Sequence, residues 1–551
     1  MGVSQRAIGI PNSGPRLFTV KETMKQWLDK KNFIYLVTIF LPAIMAGMIA
    51  FLYATKWDIH ITTLPVWNDE AAYYAQVKML LQHGFSAGYW GFNGGHALVG
   101  TGGAWSVAIL LPYALFGKLF GWTYTSVSIA NVVYLCLANA LFLWLVKAKK
   151  EVCIRFAIVE LFSLHLWLYT NSQMSEVLRY AMAIVLAGML YRLYFAEKTS
   201  LLYKIVVGLY LLYLMQAYIF FAFAVMIYVY ALLKDSKWNF WKKGAIGLGT
   251  MAVTSGISYY VLHLISSNYN IFKTEQLLGA LKNRDILGAI KSFVWMAKVG
   301  LYDLYTCFVS KTGYGLFHYF VILIVLLCVV PLCTLIKKHK EEHTATKDST
   351  ILGIILYTMV LYTGMYITVY SLEVFTFFRG MGIPILFSLA LICNADSYKK
   401  YATLAVCYML AMFYLPANLK AFNEERYVLP EKVTEWNVLQ NNFASAMTAP
   451  TSGKGEDQDA QRWENTVILY TMEPRVIATL PAGFGQNYMM YQGTLPTTKA
   501  GYLIFSLKQT GLRGDWLEQS YFDVYDKNRA EIEENYFIQY TDGEYVLYKH
   551  K

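Results

Sequence analysis

The stretch FIYLVTIFLPAIMAGMIAFLY at residues 33–53 decides the class of fold. It holds no charged side chain over its 21 positions, and about 20 apolar residues are enough for a helix to cross the hydrocarbon of a bilayer. The apolar core of a cleaved signal peptide is shorter than this, and no small-residue cleavage site follows the stretch. We therefore interpret it as an uncleaved signal anchor, with the basic segment 1–31 in the cytoplasm.

Similar apolar stretches recur along the chain. Of the 551 residues, 56% are hydrophobic and only 15% are charged, which lies outside the usual range of soluble proteins. Short clusters of Lys and Arg separate the stretches, and such clusters stay on the cytoplasmic side of a membrane. The sequence thus predicts an α-helical polytopic membrane protein with about 11 transmembrane helices, at 32–54, 126–146, 154–170, 178–195, 203–217, 218–233, 244–265, 315–336, 350–370, 381–397 and 401–418.

Charge and cysteine content exclude two other classes of protein. The net charge of +11 is spread over loops between apolar spans instead of forming one basic face, so it indicates membrane topology and no nucleic-acid partner. The seven cysteines show no CxxC spacing, which indicates neither a disulfide framework nor a zinc site.

Two long loops are predicted on the external side, at about 55–125 and 266–314. In the first, the segment 105–120 is too short and too interrupted for a span, so we expect an interfacial helix there. In the second, residues 275–299 follow a helical stripe that favours the membrane surface. The transmembrane part is predicted to cover residues 32–419 and to leave the C-terminus outside.

Residues 420–551 are predicted to form a small extracytoplasmic α/β domain, because the hydropathy falls after about residue 420. A Thr-, Ser-, Gly- and Asp-rich stretch at 446–461 indicates a flexible surface segment. Strands are expected at Thr466 to Tyr470, Arg475 to Thr479 and Tyr502 to Ser506. Tyr536 to Tyr540 and Glu544 to Tyr548 are expected to form a hairpin that turns at Asp542 and Gly543.

The stretch NDEAAYY at residues 68–74 carries the strongest functional signal. Two adjacent carboxylates, Asp69 and Glu70, open a helix just outside the first span. Acidic residues at a helix start are favoured by the helix dipole, and capping alone would explain an arbitrary Asp-Glu pair. The position favours function, because the loop that follows is too aromatic and too rich in glycine for a plain connection.

This opening resembles that of the GT-C superfamily of membrane glycosyltransferases, particularly the protein O-mannosyltransferases and the lipid A aminoarabinose transferases. Members have one span and then a long external loop that opens with an Asp-Glu pair and an aromatic position. PYALFGKLFG at residues 112–121 resembles the Pro-bearing helix that ends this loop, and FRGMGIP at residues 378–384 resembles an Arg-containing segment before a late span. SQMSE at residues 172–176 is a weaker match. The resemblance covers about residues 30–420 and implies a GT-C-like fold.

The chemistry of such a transfer suits these residue types. A sugar that leaves a polyprenyl phosphate creates a phosphate anion, which needs a fixed cation, and Arg379 is the candidate. The acceptor hydroxyl must lose a proton, for which Asp69 is the candidate base and Glu70 supports or orients it. The resemblance implies inversion at the anomeric carbon. Arg379 could instead snorkel to the lipid headgroups or pair with Glu373.

Other residues are weaker candidates. Lys311 could bind the donor phosphate, although a basic residue flanking a span needs no such role. Possible substrate-binding residues are Tyr73, Tyr74, His96 and Glu176. No pair has metal-ligand spacing and no cofactor motif occurs, so no metal site is indicated, although a divalent metal stays open.

The sequence therefore predicts a multi-pass transferase of a bacterial cell membrane. It would move a sugar from a polyprenyl-phosphate-linked donor to an acceptor hydroxyl on the outer face. The acceptor class stays open between a cell-envelope glycan, a lipid and a protein. A transporter or flippase of lipid-linked oligosaccharides is one alternative, but it would favour charged or broken helices at mid-membrane. A polysaccharide ligase or polymerase is another, and it would favour basic residues in a late external loop.

Overall fold

The computed structural model describes residues 33–53, 63–84, 90–92, 106–265, 274–309, 316–341, 346–370, 374–396, 419–420, 423, 426, 428, 430–448, 463–471, 473–489, 495, 497–507 and 515–551. Most of these residues are helical. Up to the last apolar helix, the helices are α1 (Phe33–Tyr53), α2 (Asn68–His83), α3 (Val107–Phe120), α4 (Ser126–Leu145), α5 (Lys150–Leu161), α6 (Leu164–Thr170), α7 (Glu176–Phe195), α8 (Leu201–Ala217), α9 (Phe223–Leu232), α10 (Phe240–Ile265), α11 (Glu275–Lys282), α12 (Ile286–Val309), α13 (Leu316–Glu341), α14 (Lys347–Val369) and α15 (Val374–Ile392).

Several of these helices have the length and apolarity of membrane spans, and the chain is a membrane protein. Among the described residues four helices qualify alone, namely α1, α4, α7 and α14, and the pair α5 and α6 qualifies together with a bend of 67°. Shorter apolar helices cover most of the predicted spans at 203–217, 218–233, 315–336 and 381–397, and the predicted span at 244–265 falls within the longer helix α10. The predicted span at 401–418 lies outside the described residues. The total of eleven crossings stays a prediction.

The helices break at two places in these regions. The predicted boundary between the spans 203–217 and 218–233 coincides with a break at Tyr218, and a short 3-10 turn at Ile219–Ala222 precedes α9. The stripe 275–299, expected as one helix, divides into α11 and α12, because Arg284 between them adopts a left-handed conformation with φ of 56°. Both breaks occur where the backbone leaves helical geometry, which hydrophobic periodicity alone does not report.

Helix α7 lies in the middle of the apolar core, with α4 and α15 packed along it. Asn131 of α4 ties this core to the first loop. Its side chain accepts a hydrogen bond from Tyr113 of α3 at 2.6 Å and donates to the carbonyls of Ser172 and Met174 at 3.0 and 3.1 Å. The connection before α7 is thereby fixed against α3, because a buried amide must satisfy its hydrogen bonds inside the protein.

The C-terminal part adds α16 (Pro430–Ala446), α17 (Arg475–Thr479), α18 (Asp515–Lys527) and α19 (Arg529–Asn535) to six strands. The strands are β1 (Trp90–Phe92), β2 (Thr466–Tyr470), β3 (Gly485–Tyr488), β4 (Tyr502–Ser506), β5 (Tyr536–Thr541) and β6 (Tyr545–His550). They form one mixed sheet in the order β1-β3-β2-β4-β6-β5, in which β1 is supplied by the first loop and pairs in parallel with β3.

The sheet confirms part of the sequence prediction and corrects another part. The strands at Thr466–Tyr470 and Tyr502–Ser506 are present, and the final hairpin turns through Gly543, whose φ is 90°. The expected strand at Arg475 to Thr479 was wrong, since these residues form α17 directly after Pro474. Tertiary packing overrides the β-propensity of so short a segment, and proline is well suited to a helix start.

Candidate active site

The structure brings Asp69 and Arg379 together across 310 positions of sequence. Asp69 lies in the first turn of α2, where the helix dipole favours a carboxylate, and Arg379 lies in the second turn of α15. Nη1 of Arg379 donates to Oδ2 of Asp69 at 2.7 Å. The two side chains keep 21% and 22% exposure, so this ion pair stays accessible to a ligand.

Glu70 follows Asp69 directly but is fully enclosed. Its Oε2 accepts hydrogen bonds from the backbone N–H groups of Val66 at 2.7 Å and Trp67 at 3.0 Å. Its Oε1 accepts one from the backbone N–H of Gln173 at 2.9 Å and forms an ion pair with Arg426. With 0% exposure and this set of donors, Glu70 holds the start of α2 in place and is shielded from any substrate.

A second ion pair lies at the start of α7. Nη1 of Arg179 contacts Oε1 of Glu176 at 3.3 Å, and Nη2 donates to the hydroxyl of Tyr73 at 3.3 Å. The guanidinium also lies over the ring of Tyr218, 4.5 Å from its centroid. Oε2 of Glu176 and Nε of Arg179 are buried without a hydrogen-bond partner in the described part of the chain. This pair therefore retains hydrogen-bonding capacity.

Close packing fixes Arg379 relative to its neighbours. Tyr180 of α7 donates to the carbonyl of Arg379 at 2.8 Å, and Tyr362 of α14 donates to the carbonyl of Gly380 at 2.8 Å. A Cβ at Gly380 would lie 2.2 Å from the ring of Tyr366, and one at Gly382 would lie 2.5 Å from the ring of Tyr180. The two glycines of the FRGMGIP stretch thus allow α15 to approach both helices closely.

Tyr73 and Tyr74 point to different surroundings. Tyr73 is buried with the membrane helices beside Arg179, and burial raises the pKa of its hydroxyl well above the ordinary value of 10.0, so it stays protonated. Tyr74 stacks instead on Trp122 and Tyr124, with ring centroids 5.5 and 5.1 Å away. Of the two tyrosines, only Tyr73 shares a hydrogen bond with the charged residues of the site.

Tyr74 borders a separate small cavity of about 130 Å³, whose lining residues are Tyr74, Lys78, Leu81, Gln82, Trp122 and Gln440. The ammonium of Lys78 donates to the carbonyl of Leu480 at 2.9 Å. Burial lowers the pKa of Lys78 to about 8. The cavity therefore lies between α2 and the C-terminal part of the chain.

Two of the predicted site residues, His96 and Lys311, lie outside the described residues, as does Glu373. Glu176, also a predicted site residue, forms an ion pair with Arg179, which in turn contacts Tyr73. No group of three His, Cys, Asp or Glu side chains within the described ranges is close enough to hold a metal ion.

Sequence reasoning missed Arg179, Gln173 and Arg426. Arg179 carried a signal, because an Arg near the start of an apolar run is costly in a membrane and usually has a specific role. Gln173 lies within the weakly matching stretch SQMSE, but neither it nor Arg426 gave any local sign of its contact with Glu70, which is more than 100 residues away in sequence in both cases.

No family model matches the sequence, and no curated protein is significantly similar to it. The fold is similar to several solved structures, each with about a tenth of its residues identical. The apo oligosaccharyltransferase of Archaeoglobus fulgidus has 10% identity and a TM-score of 0.47, and the match covers 87% of this chain and 70% of that one.

The oligosaccharyltransferase AglB from Archaeoglobus fulgidus, in complex with an inhibitory peptide and a dolichol-phosphate, matches at 10% identity and a TM-score of 0.44. That match covers 95% of this chain and 74% of AglB. ArnT from Cupriavidus metallidurans bound to undecaprenyl phosphate matches at 9% identity and a TM-score of 0.39, over 93% of this chain and 97% of ArnT.

Proposed function

We propose that this protein is an inverting membrane glycosyltransferase. It transfers a sugar from a polyprenyl-phosphate-linked donor to an acceptor hydroxyl on the outer face of the membrane. One observation carries the proposal: a carboxylate and a guanidinium meet in an accessible ion pair, while the neighbouring carboxylate is enclosed. A structural ion pair has no need for exposure, whereas a site that handles a proton and a phosphate does.

Arg379 supplies the positive charge that the donor phosphate requires. Its partner in the structure is Asp69, and a phosphate presents the same kind of anionic oxygen to the guanidinium. Binding of the phosphate therefore competes with Asp69 for Arg379. As the bond between the anomeric carbon and the phosphate oxygen breaks, the electron pair stays on that oxygen, and Arg379 stabilises the developing charge.

Asp69 acts as the base once the donor phosphate has replaced it as the ion-pair partner of Arg379. The acceptor hydroxyl transfers its proton to the carboxylate while its oxygen forms a bond to the anomeric carbon. One displacement gives inversion and needs no covalent sugar on the protein. The hydroxyl of Tyr73 and the pair of Glu176 and Arg179 lie beside this reaction centre, where they position the sugar or the phosphate.

The external location of the site follows from the membrane topology that the sequence predicts. With the N-terminus in the cytoplasm and one span before α2, Asp69 is on the outer side of the membrane. Eleven crossings would leave residues 420–551 on that side as well. A bacterial cell membrane fits this arrangement, with polyprenyl-linked donors and a cell-envelope glycan, lipid or protein as the acceptor.

Purified protein incubated with a synthetic polyprenyl-phosphate sugar tests the proposal. We expect release of the free polyprenyl phosphate and a product of inverted anomeric configuration. Arg379→Ala should raise the KM for the donor at least tenfold and leave that for the acceptor within twofold. Equal effects on both KM values, or a retained configuration, would contradict the assignment, and lipid translocation without transfer would favour a flippase.

A further inference from the structure

Arg426 lies beyond the last predicted span, yet it reaches the start of the catalytic helix α2. Its guanidinium pairs with Glu70 and lies over the ring of Trp67 at 4.4 Å from the centroid. Its side chain is 1% exposed. The carbonyl of Arg426 also accepts a hydrogen bond from the N–H of Leu64 at 3.1 Å. Both the backbone and the side chain of Arg426 therefore hold the segment that leads into α2.

Glu70 passes this contact on to Asp69. Its carboxylate accepts hydrogen bonds from the backbone N–H groups of Val66 and Trp67, which precede α2, and from that of Gln173, which precedes α7. Because Asp69 is adjacent in the first turn of the same helix, the backbone that carries its side chain is fixed by these bonds. Gln173 precedes Glu176 by three residues, so one buried carboxylate links the starts of α2 and α7.

Four more contacts tie the C-terminal part to the first loop. Nε of Arg475 donates to the carbonyl of Pro65 at 3.0 Å, and Lys78 donates to the carbonyl of Leu480 at 2.9 Å. Strand β1 of the loop extends the C-terminal sheet by pairing with β3. The apolar face of α2 made by Ala71, Ala72 and Ala75 packs in one cluster with Val467 and Leu469 of β2.

A buried ion pair is an unusual choice if only stability is needed. Its desolvation cost offsets most of its attraction, and well-packed apolar residues serve as well or better. Its particular property is that it fixes two chain segments at one distance and one orientation. A base that must lie within hydrogen-bond reach of a proton requires that control, since a misplacement of about 1 Å can cost about a hundredfold in rate.

We infer that Arg426 is a positioning residue, through which the C-terminal part of the chain holds Asp69 against Arg379. The inference rests on the proposed function. It gives residues 420–551 a definite role, namely that they form a clamp on the catalytic helix, in addition to any contact with the acceptor. The role predicts a loss of turnover without a loss of donor binding.

The test compares Arg426→Met and Arg426→Lys with Arg529→Met, a matched control at an ion pair on α19 whose side chains are 62% and 56% exposed. We expect kcat to fall at least tenfold in Arg426→Met, with the donor KM within twofold. Arg426→Lys should recover part of the lost kcat, because it restores the charge without the planar fork. The control should not change. An unchanged kcat in Arg426→Met, or a rise in KM alone, would overturn the inference.

A readout independent of activity separates this inference from the proposed function. Cysteines introduced by Asp69→Cys and Arg379→Cys are joined by a short bifunctional thiosulfonate, and the linked peptides are quantified by mass spectrometry. We expect the yield of linked peptide to fall at least fivefold when Arg426→Met is added. An unchanged yield would overturn the positioning role. A reduced yield in a protein that proves to transfer no sugar would leave the positioning role standing and remove only the enzymatic one.

Size-exclusion chromatography in detergent shows whether each variant is folded. Should Arg426→Met fail to give a monodisperse protein, Glu70→Gln takes its place. Glutamine keeps an acceptor for the backbone N–H groups and removes the charge that Arg426 requires. It should show the same fall in kcat with an unchanged donor KM, and full activity in Glu70→Gln would contradict the inference.

Discussion

The two carboxylates Asp69 and Glu70 are neighbours in sequence, yet they belong to two different regions of the molecule. Asp69 faces Arg379 of a membrane helix and stays about one-fifth exposed. Glu70 faces Arg426 of the C-terminal part and has no exposure. One helical turn thus carries both an accessible carboxylate and an enclosed carboxylate that holds the start of the helix in place.

The largest expected effect is on stability. Glu70→Ala leaves the Arg426 charge buried without its carboxylate, which should cost about 3–5 kcal/mol of unfolding free energy. Asp69→Ala should cost about 1 kcal/mol or less, because water reaches both members of that pair. Denaturant unfolding in detergent, followed by tryptophan fluorescence, measures both. Similar losses in the two variants would remove the distinction between the regions.

A second effect concerns Lys78, which lies on the face of α2 that packs against the C-terminal part of the chain. Burial lowers the pKa of its ammonium from the ordinary 10.5 to about 8. Between these two values the unfolded chain binds more protons than the folded one, so the unfolding free energy should rise with pH, by up to about 3 kcal/mol. Unfolding measured at pH 8 and pH 10 checks this rise. Lys78→Met should remove it, and a slope unchanged in that variant would show that another group is responsible.

A smaller effect is expected on the other face of α2. Tyr73→Phe removes one hydrogen bond from Arg179, whose length of 3.3 Å indicates a contribution of about 1 kcal/mol. The unfolding free energy should fall by that amount, and kcat should fall by less than tenfold. Tyr74→Phe is the matched control, because the ring of Tyr74 stacks on Trp122 and Tyr124 away from the charged residues. A larger loss of kcat in Tyr74→Phe than in Tyr73→Phe would contradict the assignment of the reaction to the charged residues beside Tyr73.

The sequence was informative wherever local chemistry decides the outcome. Long uncharged runs predicted membrane helices, and alternating strands around Gly543 predicted the final hairpin. The Asp-Glu pair after the first span and the Arg-Gly stretch before a late one named two residues that lie 2.7 Å apart in the structure. Their catalytic roles stay predictions.

Other features depend on distant contacts and left no local trace. Strand β1 is defined by its pairing with the edge of β3, and the sequence of its three residues does not distinguish it from the rest of the loop. The sequence around Arg426 gives no sign of its ion-pair partner Glu70, which lies 356 positions earlier. The sequence assigned Glu70 a supporting role beside Asp69 but could not show that Glu70 is enclosed and Asp69 accessible, because exposure is a property of the folded chain.

The roles of the two adjacent carboxylates are separated by comparing two isosteric variants, Asp69→Asn and Glu70→Gln, in one assay of sugar transfer from a synthetic polyprenyl-phosphate-linked donor. Both exchange a carboxylate for an amide at adjacent positions. Loss of the base should lower kcat by about 10²–10⁴ in Asp69→Asn with the unfolding free energy nearly unchanged. Glu70→Gln should lower both quantities, kcat by about tenfold. Undiminished turnover in Asp69→Asn would contradict the account.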